Sequence, residues 1–450
     1  MTVADRQIHL SFSVHLTGSH PAGWLHPTTE DGSDVSIRSY RHLANLAEHG
    51  LFDLFFIADT PALRIDSLDV WSRYPLFTNV LEPLTCLAAL AGSTERIGLG
   101  GTATTSFNEP YNVARQFASL DHISDGRAAW NVVTSANNYA ARNFGHAALP
   151  PHAERYSRAQ EFVRLVLKLW DTWEDDAFVY DRQEVRFYDP AKLHPIHHEG
   201  KHFRLDGGLN IQRTPQGRPV IIQAGASDAG KELAAETADL VFGSGTNLEK
   251  ARAYYADLKS RMARYGRSAE ELKVLAGVSV TVGESEQEAI DKVETLKALL
   301  HPAVATQRLG MDLETDLSDL PYDAPIPEDR IPKSANLHTA YFAEIVRMIR
   351  EEKLTLRQVA QRYSRGSAGI RGTPKQVCDQ LEEWFHGGAA DGFMFSLPIQ
   401  PAGLEDVVRL VVPELQRRGL FRKEYKGATL RDHLGLARPP GPGRRALAAE

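Results

Sequence analysis

Short apolar runs alternate along this chain with segments in which apolar residues recur every three or four positions. The runs are Ile8–Val14, Phe52–Ala58, Ile97–Thr104, Arg127–Thr134, Pro219–Ala224, Leu240–Phe242, Lys273–Val282 and Gly392–Leu397. Between most of them lie helix-period segments: Ile37–His49, Pro83–Gly92, Tyr111–Ile123, Ala153–Trp173, Ala229–Ala238, Leu248–Tyr265, Glu286–Leu300 and Pro374–Phe385. A near-continuous apolar run is what a strand buried on both faces needs, and a helix after each such strand implies parallel pairing. Eight strands in that alternation predict an α/β fold, a (β/α)8 TIM barrel, rather than an open doubly wound sheet.

The joints are unequal. Helix-to-strand connections are tight, as at His49-Gly50 and Asp125-Gly126, whereas strand-to-helix connections such as His15–Val35, Asp59–Leu81 and Ser135–His152 are long. In a barrel the long loops share one rim, where active sites are built. Two insertions follow strands 4 and 7, at about 178–215 and 302–363. The first is broken by Gly and Pro and reads as a hairpin near Glu184–Phe187. Pro302–Pro332, acidic and proline-rich, reads as a loop, with helix-like Ala335–Lys353 and Leu356–Tyr363 behind it. Both are candidates for a lid, and the second also for an oligomer contact. One domain over 1–436 and a flexible tail over 437–450 are expected.

Composition narrows the class without choosing a function. Of 450 residues 42% are hydrophobic and 24% charged, as in ordinary globular proteins, and the net charge of −7 with no basic stripe argues against nucleic acid. Two cysteines, Cys86 and Cys378, allow no disulfide framework and no cysteine metal site. With neither a signal-like start nor a membrane-length apolar run, a cytoplasmic protein is expected.

Candidate chemistry gathers at the long-loop rim. Asp59 breaks the run LFDLFFIAD, where a carboxylate orients a ring or substrate or simply forms a turn beside Pro61. Thr102, Thr104, Thr105 and Ser106 end the third run, as heterocycle-binding hydroxyls or as β-favouring residues. Ser227 follows VIIQAGA and opens a helix, which suits either a phosphate grip or an N-cap. Gly243, Ser244 and Gly245 add a second small-residue loop after the next strand, a pairing that favours phosphate. His152 and Tyr156, four apart, share one face at the start of HAERYSRAQEF, alongside Arg155 and Arg158. His194, His197, His198, Glu199 and His202 lack the helical spacing of a zinc site, so no metal is expected. No GxSxG elbow, Walker A loop or GxGxxG turn is present.

Jointly, FDLFFIAD, TATTSFNEPYNVAR, GRAAWNVVTS with NFG, HAERYSRAQEF and RTPQGRPVIIQAGAS resemble the bacterial luciferase-like flavin monooxygenases over roughly residues 5–435. The subgroup they are most similar to contains the nitrilotriacetate, dibenzothiophene sulfone and pristinamycin enzymes. The resemblance implies FMN contacts at Asp59 near the ring, Thr105 after strand three, Asn131 beneath the ring, His152 and Tyr156, and Ser227 at the phosphate. The family's Trp-Arg pair after strand one is Trp24-Leu25 here, which removes one arginine from the substrate side.

The same resemblance implies a two-component system. Reduced FMN arrives from a separate NAD(P)H:flavin reductase and reacts with O2 to a peroxyflavin that oxygenates a small organic substrate. The protein positions the ring and excludes water. His15, His20 and His26 in the first loop are candidate acid–base groups, and a homodimer or homotetramer is expected. The alternatives are a deazaflavin-dependent oxidoreductase on the same barrel and a non-catalytic flavin-binding barrel.

Overall fold

The computed structural model describes residues 6–75, 77–135, 137–245, 247–334, 339–363 and 368–442. Eight parallel strands close on themselves. They are β1 (His9–Ser13), β2 (Leu54–Ile57), β3 (Gly98–Thr104), β4 (Ala128–Val133), β7 (Val220–Gln223), β8 (Leu240–Gly243), β9 (Lys273–Val282) and β11 (Gly392–Ser396). β8 pairs with β9, and β11 with both β9 and β1, so the barrel has no open edge. Each of the eight expected strands is present within a few residues of its predicted bounds, and so is each of the eight helices.

Two further strands, β5 (Ile196–Glu199) and β6 (Arg204–Gly207), form an antiparallel hairpin in the first insertion. It lies beyond the position expected at Glu184–Phe187, where only the Asp181–Arg186 bridge forms. A last strand, β10 (Ala368–Gly372), pairs with the outer half of β9. Its sequence, AGIRG, carries no apolar run, and only the overhanging length of β9 creates a place for it.

Pro302–Leu313 is a helix, against the loop expected there. His301 caps it, Pro302 occupies the first turn where no N–H is needed, and Val304, Ala305, Leu309 and Leu313 face inward. The acids and prolines that suggested a loop belong to the residues after it. With Thr339–Arg350 and Leu356–Arg362 it builds a second apolar core leaning on Ala22, Val70 and Tyr74 of the first two long loops. Residues 335–338 of the expected Ala335–Lys353 helix and residues 443–450 of the expected tail lie outside the described residues.

Inside the barrel, Leu54, Phe56, Ala129, Val220, Ile222, Leu240, Leu275 and Met394 form the lower packing layer. The short helix Leu430–His433 plugs the base through Leu430, Leu434 and Leu436. A Cβ on Gly98 would come within 2.6 Å of Leu430, so the plug seats only because β3 is glycine there. Residues in register point the same way, so above Gly98 and Gly100 the inward side chains of β3 are Thr102 and Thr104, beside Asn131 of β4. The upper barrel is therefore polar and unfilled by bulk.

A buried charge network ties the base. Asp53 accepts from the Leu10 N–H (2.8 Å), from His9 Nδ1 (3.1 Å) and from the Arg422 guanidinium. Burial pushes the Asp53 carboxyl up, but Arg422 and His9 outweigh it and hold it at about 2. A depressed carboxyl adds stability above its unfolded value of about 3.9 that is lost as pH falls through about 2. Asp53→Ala strands the Arg422 cation, and urea unfolding is expected to show a loss of about 3–5 kcal/mol near neutral pH. Among the described residues no helix is long and apolar enough to cross a membrane.

Candidate active site

A cleft of about 290 Å³ opens over the C-terminal ends of β2, β3, β4 and β7, lined by Asp59, Thr102, Thr104, Tyr156, Gln223 and Gly225 among others. Its position follows from the chain's asymmetry, because every long strand-to-helix loop ends on this rim.

The β7 side is made of small residues. After Gln223 the chain runs Ala224-Gly225-Ala226-Ser227 into the helix Asp228–Thr237. Gly225 and Gly230 touch backbone to backbone: a Cβ on either would lie 2.9 Å from the other's Cα. The Tyr156 hydroxyl stands over both, 3.1 Å from such an atom on Gly230 and 3.4 Å on Gly225. Tyr254 donates to the Gly225 carbonyl at 3.1 Å, fixing the loop from behind. Ser227 caps the helix, its Oγ accepting from the Gly230 N–H at 3.2 Å. His152, exposed at the rim, packs on the Tyr156 ring with centroids 4.6 Å apart. The loop thus combines a helix N-terminus, two glycines that let a ligand approach the backbone, and an aromatic hydroxyl.

The floor is different. Asn131, 4% exposed, donates from Nδ2 to Thr102 Oγ1 at 2.9 Å, while its Oδ1 has no partner. Gln223, 3% exposed, has an unpartnered Nε2. A buried polar atom without a partner costs about 1–3 kcal/mol, so the open acceptor of Asn131, beside the lining residue Thr102, and the open donor of Gln223, which lines the cleft at the end of β7, are each available to a ligand.

Thr104 Oγ1 lies 2.8 Å from Ser135 Oγ and lines the cleft. Thr105 does not: it is buried behind the rim, its hydroxyl donating to the Val133 carbonyl at 3.1 Å. Arg158 secures that loop, donating to the Thr105 carbonyl and lying over the Phe203 ring.

Asp59 stands at the cleft edge, its carboxyl raised to about 6 by burial and then by Glu82. His15 follows β1, with Nε2 3.2 Å from Ser13 Oγ, and burial lowers it to about 4. His20, lowered to about 4 by burial and Arg308, accepts the Ala22 N–H in a turn of the first loop. His26, lowered by burial and Lys292, pairs with Thr28 at 2.8 Å. Leu25 is 41% exposed and Trp24 donates to the Arg73 carbonyl.

The other candidates are spoken for. His194, His197 and His198 each pair with a different carboxylate, from Glu174, Asp206 and Glu161, and His202 bonds Ser157. Cys86 and Cys378 are buried, with thiols pushed up to about 12. Of the expected residues Asp59 and Tyr156 line the cleft, Asn131, His152 and Ser227 border it through Thr102, Tyr156 and the Gly225 loop, and Thr105, His15, His20 and His26 lie outside its lining. Gln223 and the Gly225–Gly230 pair are additions. The one signal for Gln223 was an amide closing the otherwise apolar run VIIQ.

Comparison with known proteins gives the family. The family model for luciferase-like monooxygenases matches residues 13–391. Nitrilotriacetate monooxygenase component A of Aminobacter aminovorans is 48% identical over 97% of this chain and 98% of its own length. Dibenzothiophene-sulfone monooxygenase of Rhodococcus erythropolis (strain XP) is 39% identical over 98% and 99%. The crystal structure of long-chain alkane monooxygenase superposes with a TM-score of 0.84 at 32% identity, covering 96% of each chain. With a closed parallel barrel, a cleft at its long-loop rim and this likeness along its whole length, the chain belongs to the luciferase-like monooxygenase family and is a flavin-dependent monooxygenase.

Proposed function

We propose that this enzyme binds reduced FMN as a co-substrate in the β3–β4–β7 cleft and uses O2 to place one oxygen atom on a small organic molecule. The observation that carries the reading is the glycine cradle under Tyr156, with an open buried amide atom on each of the neighbouring strands β4 and β7. An isoalloxazine ring offers an imide N–H and two carbonyls, which suit an open acceptor, Asn131 Oδ1 on β4, and an open donor, Gln223 Nε2 at the end of β7. The cradle suits the phosphate: Gly225 and Gly230 admit it to the backbone, and the Ser227 helix start and the Tyr156 hydroxyl supply donors.

Bound reduced flavin supplies the reaction with oxygen and the atom transferred. The chain's own residues hold the ring, set the charge beside it and keep water away. Asp59 is protonated below about pH 6 and so adds no negative charge to the cleft there. His15 at the end of β1, lowered to about 4, is neutral at physiological pH and so able to accept a proton.

A separate flavin reductase as electron source follows the relative named component A. The relatives' named substrates run from nitrilotriacetate to an alkane, so the family itself does not choose the substrate.

The charge at Asp59 gives a test. As pH rises past about 6 its carboxyl ionises and opposes the anionic cofactor. Affinity for reduced FMN, measured by anaerobic titration, is expected to fall severalfold across that value in the wild type, with the step absent in Asp59→Asn. An identical step in the variant would remove Asp59 from the cofactor's surroundings.

A further inference from the structure

A second cavity lies between the loops that follow β1 and β2. It has a volume of about 270 Å³, is lined by Thr17, Asp34, Trp71 and Arg73 among others, and shares no lining residue with the β3–β4–β7 cleft. Its walls are fastened to each other, because the Trp24 indole of the first loop donates to the Arg73 carbonyl of the second at 3.2 Å. Trp71 and Tyr74 stand side by side in the second wall, ring centroids 6.4 Å apart.

Two kinds of group are left open in these walls. The first are donors. Trp71 is 8% exposed, and its Nε1 has no hydrogen-bond partner. Arg73 pairs through a terminal nitrogen with Asp69 at 2.9 Å, while its buried Nε is unpartnered. Burying a donor that binds nothing is costly, so two of them on residues of one cavity point to an acceptor from outside the chain. The second kind are carboxylates. Glu30, Asp31 and Asp34 all line the cavity, and among the described residues none of the three has an ion-pair partner. Burial raises the Asp34 carboxyl, with no neighbouring cation to offset it. The buried Ser33 hydroxyl next to it is unpartnered too.

We propose that this cavity binds a small zwitterion, its ammonium held by Asp34, Glu30 and Asp31 and its carboxylate accepting from Trp71 Nε1 and Arg73 Nε. Open groups of opposite preference on one cavity select a ligand that carries both charges. An anion alone meets three carboxylates, and a cation alone leaves both donors unmet. The ammonium goes to the carboxylates rather than to a ring face, since Arg64 already lies 4.9 Å over Trp71 and Arg308 5.5 Å over Tyr74. Trp24 and Tyr74, which also line the cavity, cover the carbon chain between the two ends. Binding here does not depend on where the flavin sits.

The test is isothermal titration calorimetry of the full chain without flavin. The probes are γ-aminobutyrate and β-alanine, with butylamine and butyrate as controls that carry one charge each. One equivalent of zwitterion per chain is expected to bind, and each control about tenfold to a hundredfold more weakly. Asp34→Asn should weaken γ-aminobutyrate and butylamine but spare butyrate. Trp71→Phe should weaken γ-aminobutyrate and butyrate but spare butylamine. Both variants should keep the wild-type circular dichroism and reduced-FMN affinity, which separates loss of this site from loss of the fold or of cofactor binding. No saturable binding of either zwitterion, a control that binds as tightly, or unchanged affinity in both variants would each overturn the proposal. Competition by reduced FMN would place the ligand in the β3–β4–β7 cleft and overturn it equally.

Discussion

Gly230→Ala is expected to lower the affinity for reduced FMN by about a hundredfold or more while leaving the apoprotein folded. Gly230 is the third residue of the Asp228–Thr237 helix, and its φ is not in the left-handed region. By helix propensity alone alanine is better there, by about 1 kcal/mol. The obstacle is space. The new Cβ falls 2.9 Å from Gly225 Cα and 3.1 Å from the Tyr156 hydroxyl, so the loop after β7 must shift away from the cleft. Displacement of a positioning loop by about 1 Å commonly costs about a hundredfold in function. Circular dichroism and thermal unfolding would report the fold, and anaerobic titration the affinity. Wild-type affinity in this variant would mean that the glycine pair does not hold the cofactor.

Gln223→Met separates binding from stability by the sign of its effects. Methionine is close to glutamine in shape and removes the open Nε2 donor from a side chain that is 3% exposed. If that donor is kept open for a ligand, its loss relieves a buried unsatisfied group, and apoprotein stability should hold or rise by about 1 kcal/mol. The bound flavin carbonyl then loses its donor, and affinity should fall about tenfold to a hundredfold. A purely structural glutamine predicts the reverse: lower stability and unchanged affinity.

Most of the barrel was legible because each buried parallel strand declares itself as an apolar run, and most of its helices begin at a side-chain cap such as Ser36, Ser227, Asn247 or Thr373. β10 was not, because AGIRG has no apolar pattern and its pairing depends on the length of another strand. The Pro302–Leu313 helix was hidden by the acids and prolines that follow it.

The site shows the same division. Asp59, Tyr156 and Ser227 stood at strand or helix ends, where position alone names the rim. Thr104 and Thr105 are adjacent, and which of them lines the cleft is decided by strand register, a single-residue matter that no local pattern fixes. The open donor of Gln223 shows only through the absence of a partner, which is a property of the packed structure. The Gly225–Gly230 contact joins a loop to a helix turn, and the tyrosine above it comes from a helix some seventy residues earlier in the chain.

The central claim, that the β3–β4–β7 cleft holds reduced FMN, is tested most directly by anaerobic titration of wild type and Gly230→Ala side by side. The account predicts saturable binding of one equivalent per wild-type chain and loss of most of that affinity in the variant. No saturable binding by the wild type, or equal binding by both proteins, would contradict it.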